Sequence, residues 1–289
     1  MTPRYPDPLE SFVHPARAAP EPWRLALGCL LCTVIYVIGL NLYLVLVTGL
    51  PGAPSILAVT RAQTPGAALW LLGSFAAMAL GPWVAAPLLH ARPPVTLFGH
   101  TGREVRDFAT AAAAVGGVQV LSVLVWSLFN DAVPGVGFGL WLTFLPLSVA
   151  VLALQAGAEE ILFRGYLLQQ LAARFRSPLV WAVLPSLLFG LLHYDPAMGD
   201  SAWQIVLATL IFGLIAADLT AATGSLAAAW GMHFANNATA LLLLATEGTV
   251  PGLALYRTPY VASEAGGLIV WDVVVLLIGW GLARRALLR

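Results

Sequence analysis

The sequence predicts an all-α, polytopic membrane protein with about eight transmembrane helices enclosing a polar intramembrane site. Three observations carry this. The 289 residues are 60% hydrophobic and only 10% charged, against about 25% charged in soluble domains. Uncharged runs of membrane-spanning length recur along the chain. The few polar groups at membrane depth gather in its second half. With a formal net charge of zero and no basic patch, nothing points to nucleic acid, and the lipid bilayer is the expected partner. All 14 basic residues are Arg. That bias suits a GC-rich bacterial source.

Residues 1–23 carry Pro3, Pro6, Pro8, Pro15, Pro20 and Pro22 and are expected to form a flexible cytoplasmic arm. Residues 24–289 form the transmembrane domain. Its first run, residues 25–47, is too long for a secretory h-region and reads as a retained span. Cys29 and Cys32 lie three apart within it; as the only cysteines, they read as small packing residues rather than a metal site. Further spans are expected at residues 66–89, with a bend near Gly81-Pro82 and Pro87, and at 108–129. The fourth runs from 138 to about 173, too long for one straight crossing, so either its end lies amphipathically at the interface or it breaks near Gly157 or Gly165. Residues 179–192, 203–222, 225–245 and 268–283 complete the eight. With a cytoplasmic N-terminus, eleven Arg from Arg4 to Arg289 fall inside, Arg61 and Arg257 outside, and Arg164 at membrane depth. This positive-inside bias places both termini in the cytoplasm of a bacterial cytoplasmic membrane.

The chemistry centres on Glu159, Glu160 and Arg164. A charge at the bilayer centre costs roughly 2.5–3.5 kcal/mol on insertion scales, so such a cluster needs partners. Glu160 and Arg164 are four apart on a helix and face each other, which makes them a supporting ion pair. Glu159 is turned about 100° away and is free to act as a base. His193, Asp218, His233, Asn236 and Asn237 are the other polar groups at depth. Phe189 shares a helix face with His193, and His233 shares one with Asn237. A carboxylate, two imidazoles and a carboxamide suit hydrolysis: a general base for water, and donors for the oxyanion of a tetrahedral intermediate. Glu159, His193 and His233 are also possible zinc ligands, although the one-helix H-E-x-x-H spacing is absent. Asp218 suits either a structural pair or a place near the site.

Glu159-Glu160-x-x-x-Arg164, Phe189-x-x-x-His193 and His233-x-x-x-Asn237, in that order on separate helices, resemble the CPBP family of intramembrane endopeptidases. The family is also called the Abi, CAAX-protease or Rce1-like family. The resemblance covers a core at about residues 138–246. It implies that Glu159 and His193 activate the attacking water, that His233 and Asn237 form the oxyanion hole, and that Glu160 and Arg164 support them. It implies a protein or peptide substrate at the membrane. A glutamate-dependent mechanism without cofactor is favoured over a zinc metalloprotease. The alternative is a non-catalytic transporter or immunity or scaffold protein. A transporter more often shows broken helices in corresponding positions of both halves, whereas these polar groups all come from one half. One difficulty stands: eight full crossings would put His193 near the outer end of its helix and Glu159 and His233 near the middle of theirs.

Overall fold

The computed structural model describes residues 5–264 and 266–289; Pro3 and Arg4 of the expected arm lie outside these. The chain is 78% helical. Among the described residues, six helices are long and apolar enough to cross a membrane: Pro22–Thr48, Pro65–His90, Glu104–Ser127, Phe138–Arg174, Pro196–Thr223 and Gly266–Leu287. The other two expected spans are shorter. Residues Leu179–Leu191 form one apolar helix, which begins just after Pro178. Ala227–Ala238 (α11) continues as a π-helix to Leu243 before a strand ends it. We number the remaining α-helices α1 (Asp7–Val13), α2 (Pro22–Thr48), α3 (Ile56–Arg61), α4 (Pro65–Gly73), α5 (Ala76–His90), α6 (Glu104–Ser127), α7 (Phe138–Glu160), α8 (Gln169–Arg174), α9 (Leu184–Leu191), α10 (Ala202–Thr223) and α12 (Gly266–Leu287).

The second span departs from expectation in where it bends. Its helix is interrupted between Gly73 and Ala76, while α5 continues through Pro82 and Pro87 to His90. At the interruption, Ser74 turns its hydroxyl back to the Leu71 carbonyl, 2.6 Å away. Small residues then let α2 and α5 pack closely: a Cβ on Gly81 would lie 2.9 Å from the Cys32 backbone. Close approach of this kind drives helix association in lipid. Cys29 and Cys32 are both free thiols.

Where it is described, the arm is helical and packed. Residues 7–13 form α1, and a 3₁₀ turn follows over His14–Ala18. Leu9, Phe12, Val13 and Ala16 are buried in one core cluster with Leu168, Leu171 and Ala172. The prolines that suggested disorder instead begin helices: Pro6 precedes α1, and Pro22 opens α2, positions where the missing N–H is harmless. Gln169 donates from Nε2 to the Phe12 carbonyl at 2.9 Å. Tyr5 donates its hydroxyl to the carbonyls of Ala172 and Phe175, at 2.9 and 2.6 Å. Gly224, at φ +75°, leaves room for the backbone of Pro8, whose carbonyl oxygen would lie 2.7 Å from a Cβ there.

The all-α expectation also meets a small sheet, in strand order β1-β3-β2: β1 (Val133–Pro134), β2 (Leu244–Glu247) and β3 (Tyr256–Val261). β1 runs antiparallel to β3, and β2 parallel to it. Its strands come from connections between spans, at one end of the bundle. The Ala62 carbonyl accepts from Gly252 N–H at this end, at 3.0 Å, and Ser201 donates to the Ser263 carbonyl at 3.1 Å. At the opposite end, Leu226 N–H donates to the Phe98 carbonyl at 2.9 Å, beside the N-terminal arm. Arg92 and Arg174 lie at that second end, as does Arg284, which pairs with Asp218. Tyr5, bonded to the end of α8, and Arg284, near the end of α12, lie at this Arg-rich end.

Candidate active site

The long helix from Phe138 to Arg174 does not break. Its middle turns, Ile161–Leu168, open into a π-helix, a widening often found at functional sites. The two glycines permit contact rather than a break. A Cβ on Gly157 would lie 2.5 Å from the Trp230 ring, and one on Gly165 would lie 2.7 Å from the Leu97 carbonyl. Helical rise makes 37 residues about 55 Å long, well beyond the ~30 Å hydrocarbon core. Part of the surplus is α8, which carries the arm. Glu159 lies six residues before Gly165, which touches the connections at Leu97 and Leu226. That places Glu159 about 9 Å beneath the Arg-rich end by helical rise.

At this depth Glu160 is fully buried and Arg164 is 2% exposed, and they pair at 3.1 Å between Nη1 and Oε1. Arg164 also donates from Nη2 to the Gly213 carbonyl on α10 at 3.1 Å. Its guanidinium lies over the Phe189 ring, 5.0 Å from the centroid. The i,i+4 pair expected from spacing is therefore held by three helices.

Glu159 does not stand free. His233, on α11, reaches Glu159 Oε2 through Nε2 at 3.3 Å and Glu160 Oε1 through Nδ1 at 2.8 Å. One imidazole thus bridges two adjacent carboxylates. Because Glu160 already accepts from Arg164, Nδ1 of His233 is the donor there, which leaves Nε2 to serve Glu159. The buried cluster counts two carboxylates against one guanidinium. A buried charge cluster needs compensation, and the His233 ring between the two carboxylates is the group placed to supply it.

His193 follows the short helix α9. Its Nδ1 lies 2.8 Å from the Phe189 carbonyl, which can only accept, so the proton sits on Nδ1 and Nε2 keeps its lone pair. Phe189 packs against His193 at 4.7 Å and His233 at 6.3 Å between centroids. It also meets Phe163 at 5.0 Å and Phe212 at 5.9 Å. The helix bearing His193 is shorter than a full span, and through Phe189 it packs against Phe163 and His233. Among the described residues, no hydrogen bond joins His193 to Glu159.

Asn237 donates from Nδ2 to Gln155 Oε1 at 2.7 Å and accepts at Oδ1 from Asn236 at 3.2 Å. Asn236 accepts in turn from Gln119 of α6 at 2.7 Å. Gln155 and Gln119 escaped the sequence reading. The signal for Gln155 was present, since it lies one helical turn before Glu159 on the same face. Tyr36 of α2 also lies near enough to feel the Glu159 charge. Asp218 is a structural pair: its Oδ2 accepts from Arg284 Nε and Trp280 Nε1, each at 2.9 Å, tying α10 to α12. Among the described residues, no three His, Cys, Asp or Glu side chains gather as a metal group. Both nitrogens of His233 are already taken by carboxylates.

These features define a class: a polytopic helical membrane protein with a buried carboxylate–imidazole cluster near the Arg-rich end. Residues 140–239 match the family described as type II CAAX prenyl endopeptidase Rce1-like, which supports the CPBP, or CAAX-protease, family. Every site residue from Gln155 to Asn237 falls inside that segment. The Bacillus subtilis (strain 168) protein described as uncharacterized protein YyaK is 32% identical over 114 residues. The alignment spans 39% of this chain and 38% of that protein. No solved structure matches the chain.

Proposed function

We propose that this protein is an intramembrane endopeptidase that hydrolyses peptide bonds of membrane-associated substrates. The carrying observation is the buried Glu159–His233 pair, 3.3 Å apart. In the reaction, a water between Glu159 and His193 adds to the scissile carbonyl. Its proton passes to Glu159, with the free Nε2 of His193 as the second acceptor. Once Glu159 takes that proton, His233 Nε2–H is released toward the oxyanion, where Asn237 Nδ2 is the second donor. Collapse breaks the C–N bond, and Glu159 or His193 returns the proton to the leaving amine. Glu160, held by Arg164, keeps the His233 ring in position.

The reading uses no metal and no cofactor. Its substrate is a protein or peptide segment entering near the Arg-rich end, which faces the cytoplasm on the positive-inside rule. The test uses a quenched-fluorescence peptide taken from a protein that accumulates uncleaved in cells lacking this chain. Purified protein in lipid vesicles is expected to cleave it, and Glu159→Gln and His193→Ala are expected to be folded and inactive. Full cleavage by a well-folded Glu159→Gln variant overturns the proposal. Accumulation or release of a small solute without any cleavage would point to a transporter instead.

A further inference from the structure

We infer that Gln155 is a positioning residue, which orients the Asn237 carboxamide for the proposed hydrolysis and so rests on that reading. Four carboxamides form a directed chain across three helices: Gln119 Nε2 donates to Asn236 Oδ1 at 2.7 Å, Asn236 Nδ2 to Asn237 Oδ1 at 3.2 Å, and Asn237 Nδ2 to Gln155 Oε1 at 2.7 Å. Each amide gives its nitrogen to the next oxygen. Rotating Asn237 alone by half a turn would set oxygen against oxygen at Gln155 and nitrogen against nitrogen at Asn236. Its oxygen and nitrogen are therefore assigned by both neighbours at once.

The consequence falls on the second N–H of Asn237. A carboxamide has two such hydrogens and Gln155 uses one, so the other is presented in a fixed direction. An oxyanion donor works through preorganisation: it must already point where charge develops. Gln155 is 6% exposed, so its oxygen cannot exchange this partner freely for water, and losing the bond leaves a buried group unsatisfied. Its place on the turn before Glu159 couples the two halves of the site, since one helix face carries both the base and the group that aims the donor.

The test is a double-mutant cycle on the same peptide in lipid vesicles. Gln155→Met keeps length and removes the acceptor; kcat is expected to fall by about tenfold or more, short of the ~10²–10³-fold typical for loss of an oxyanion donor. KM is expected to stay within about twofold, since ground-state binding is untouched. Gln155→Glu, which keeps an acceptor oxygen, is expected to recover most of kcat. In an Asn237→Ala background, Gln155→Met is expected to cause no further loss, because its effect passes through Asn237. Multiplying losses in the double variant, or an unchanged kcat in Gln155→Met, would overturn the inference. If Gln155→Met does not fold, Gln119→Met is read in the same cycle, with the same non-additivity expected and the same additivity fatal. Wild-type cleavage with an inert Glu159→Gln leaves the proposed function standing whatever Gln155 does. A wild-type protein that cleaves nothing removes both.

Discussion

At the scale of the residue, the site is a problem in burying charge. Glu160 and Arg164 are nearly sealed from solvent, and breaking such a pair leaves an uncompensated ion, at about 3–5 kcal/mol. Arg164→Ala is therefore expected to lower the thermal unfolding midpoint in detergent strongly, while Glu159→Gln stays close to wild type. Equal stability of Arg164→Ala and wild type would show that the pair is not what holds these helices. Chelation is a second discriminator: dialysis against excess chelator is expected to leave cleavage intact, and loss restored by zinc would move the chemistry to a metal. The Glu160–Arg164 pair was legible because both residues sit on one helix, where spacing fixes direction. The His233 bridge to Glu159 was not, since nothing in spacing along the chain says which imidazole two helices away will turn toward which carboxylate. The carboxamide chain was hidden for the same reason.

At the scale of the element, the departures concern where helices stop and how closely they approach. The fifth expected span is too short to cross, and its Phe189, one turn before His193, packs against Phe163 and His233. The long fourth helix widens into π turns instead of breaking. Hydropathy registers neither, because it reads composition and not backbone hydrogen bonding. Close approach is testable at Gly231, where a Cβ would lie 2.2 Å from the Phe108 carbonyl. Gly231→Ala is expected to cost about 1–3 kcal/mol, as overpacking typically does. Because His233 is two residues further on, cleavage is expected to fall by more than the folded fraction. Measured unfolding midpoint and activity per folded molecule separate these effects, and an unaltered Gly231→Ala protein would contradict the packing described.

At the scale of the whole molecule, hydropathy read the helical architecture but neither the sheet nor the packing of the N-terminal arm. The three-stranded sheet joins short segments far apart in sequence, each too brief to show an alternating pattern. The N-terminal arm looked disordered because prolines crowd it, yet it delivers Leu9, Phe12 and Val13 into a core shared with α8 and α10. Phe12→Ala is expected to cost about 3–5 kcal/mol, the usual range for an emptied Phe site. A protease cutting near residue 20 is expected to reach the variant much faster than wild type, and equal cutting rates would mean the arm is dispensable to the bundle.

The arm's docking also dictates an order of events during synthesis. Pro8 and Phe12 leave the ribosome well before the residues that receive them: Gln169, which donates to the Phe12 carbonyl, and Gly224, which makes room for Pro8, each come more than 150 residues later in the numbering. At about 5–20 residues per second, residues 8–12 wait roughly ten seconds or more before the surface they cover exists. Both of those partners precede His233 and Asn237 in the chain, so the arm's docking surface is made before the last residues of the site.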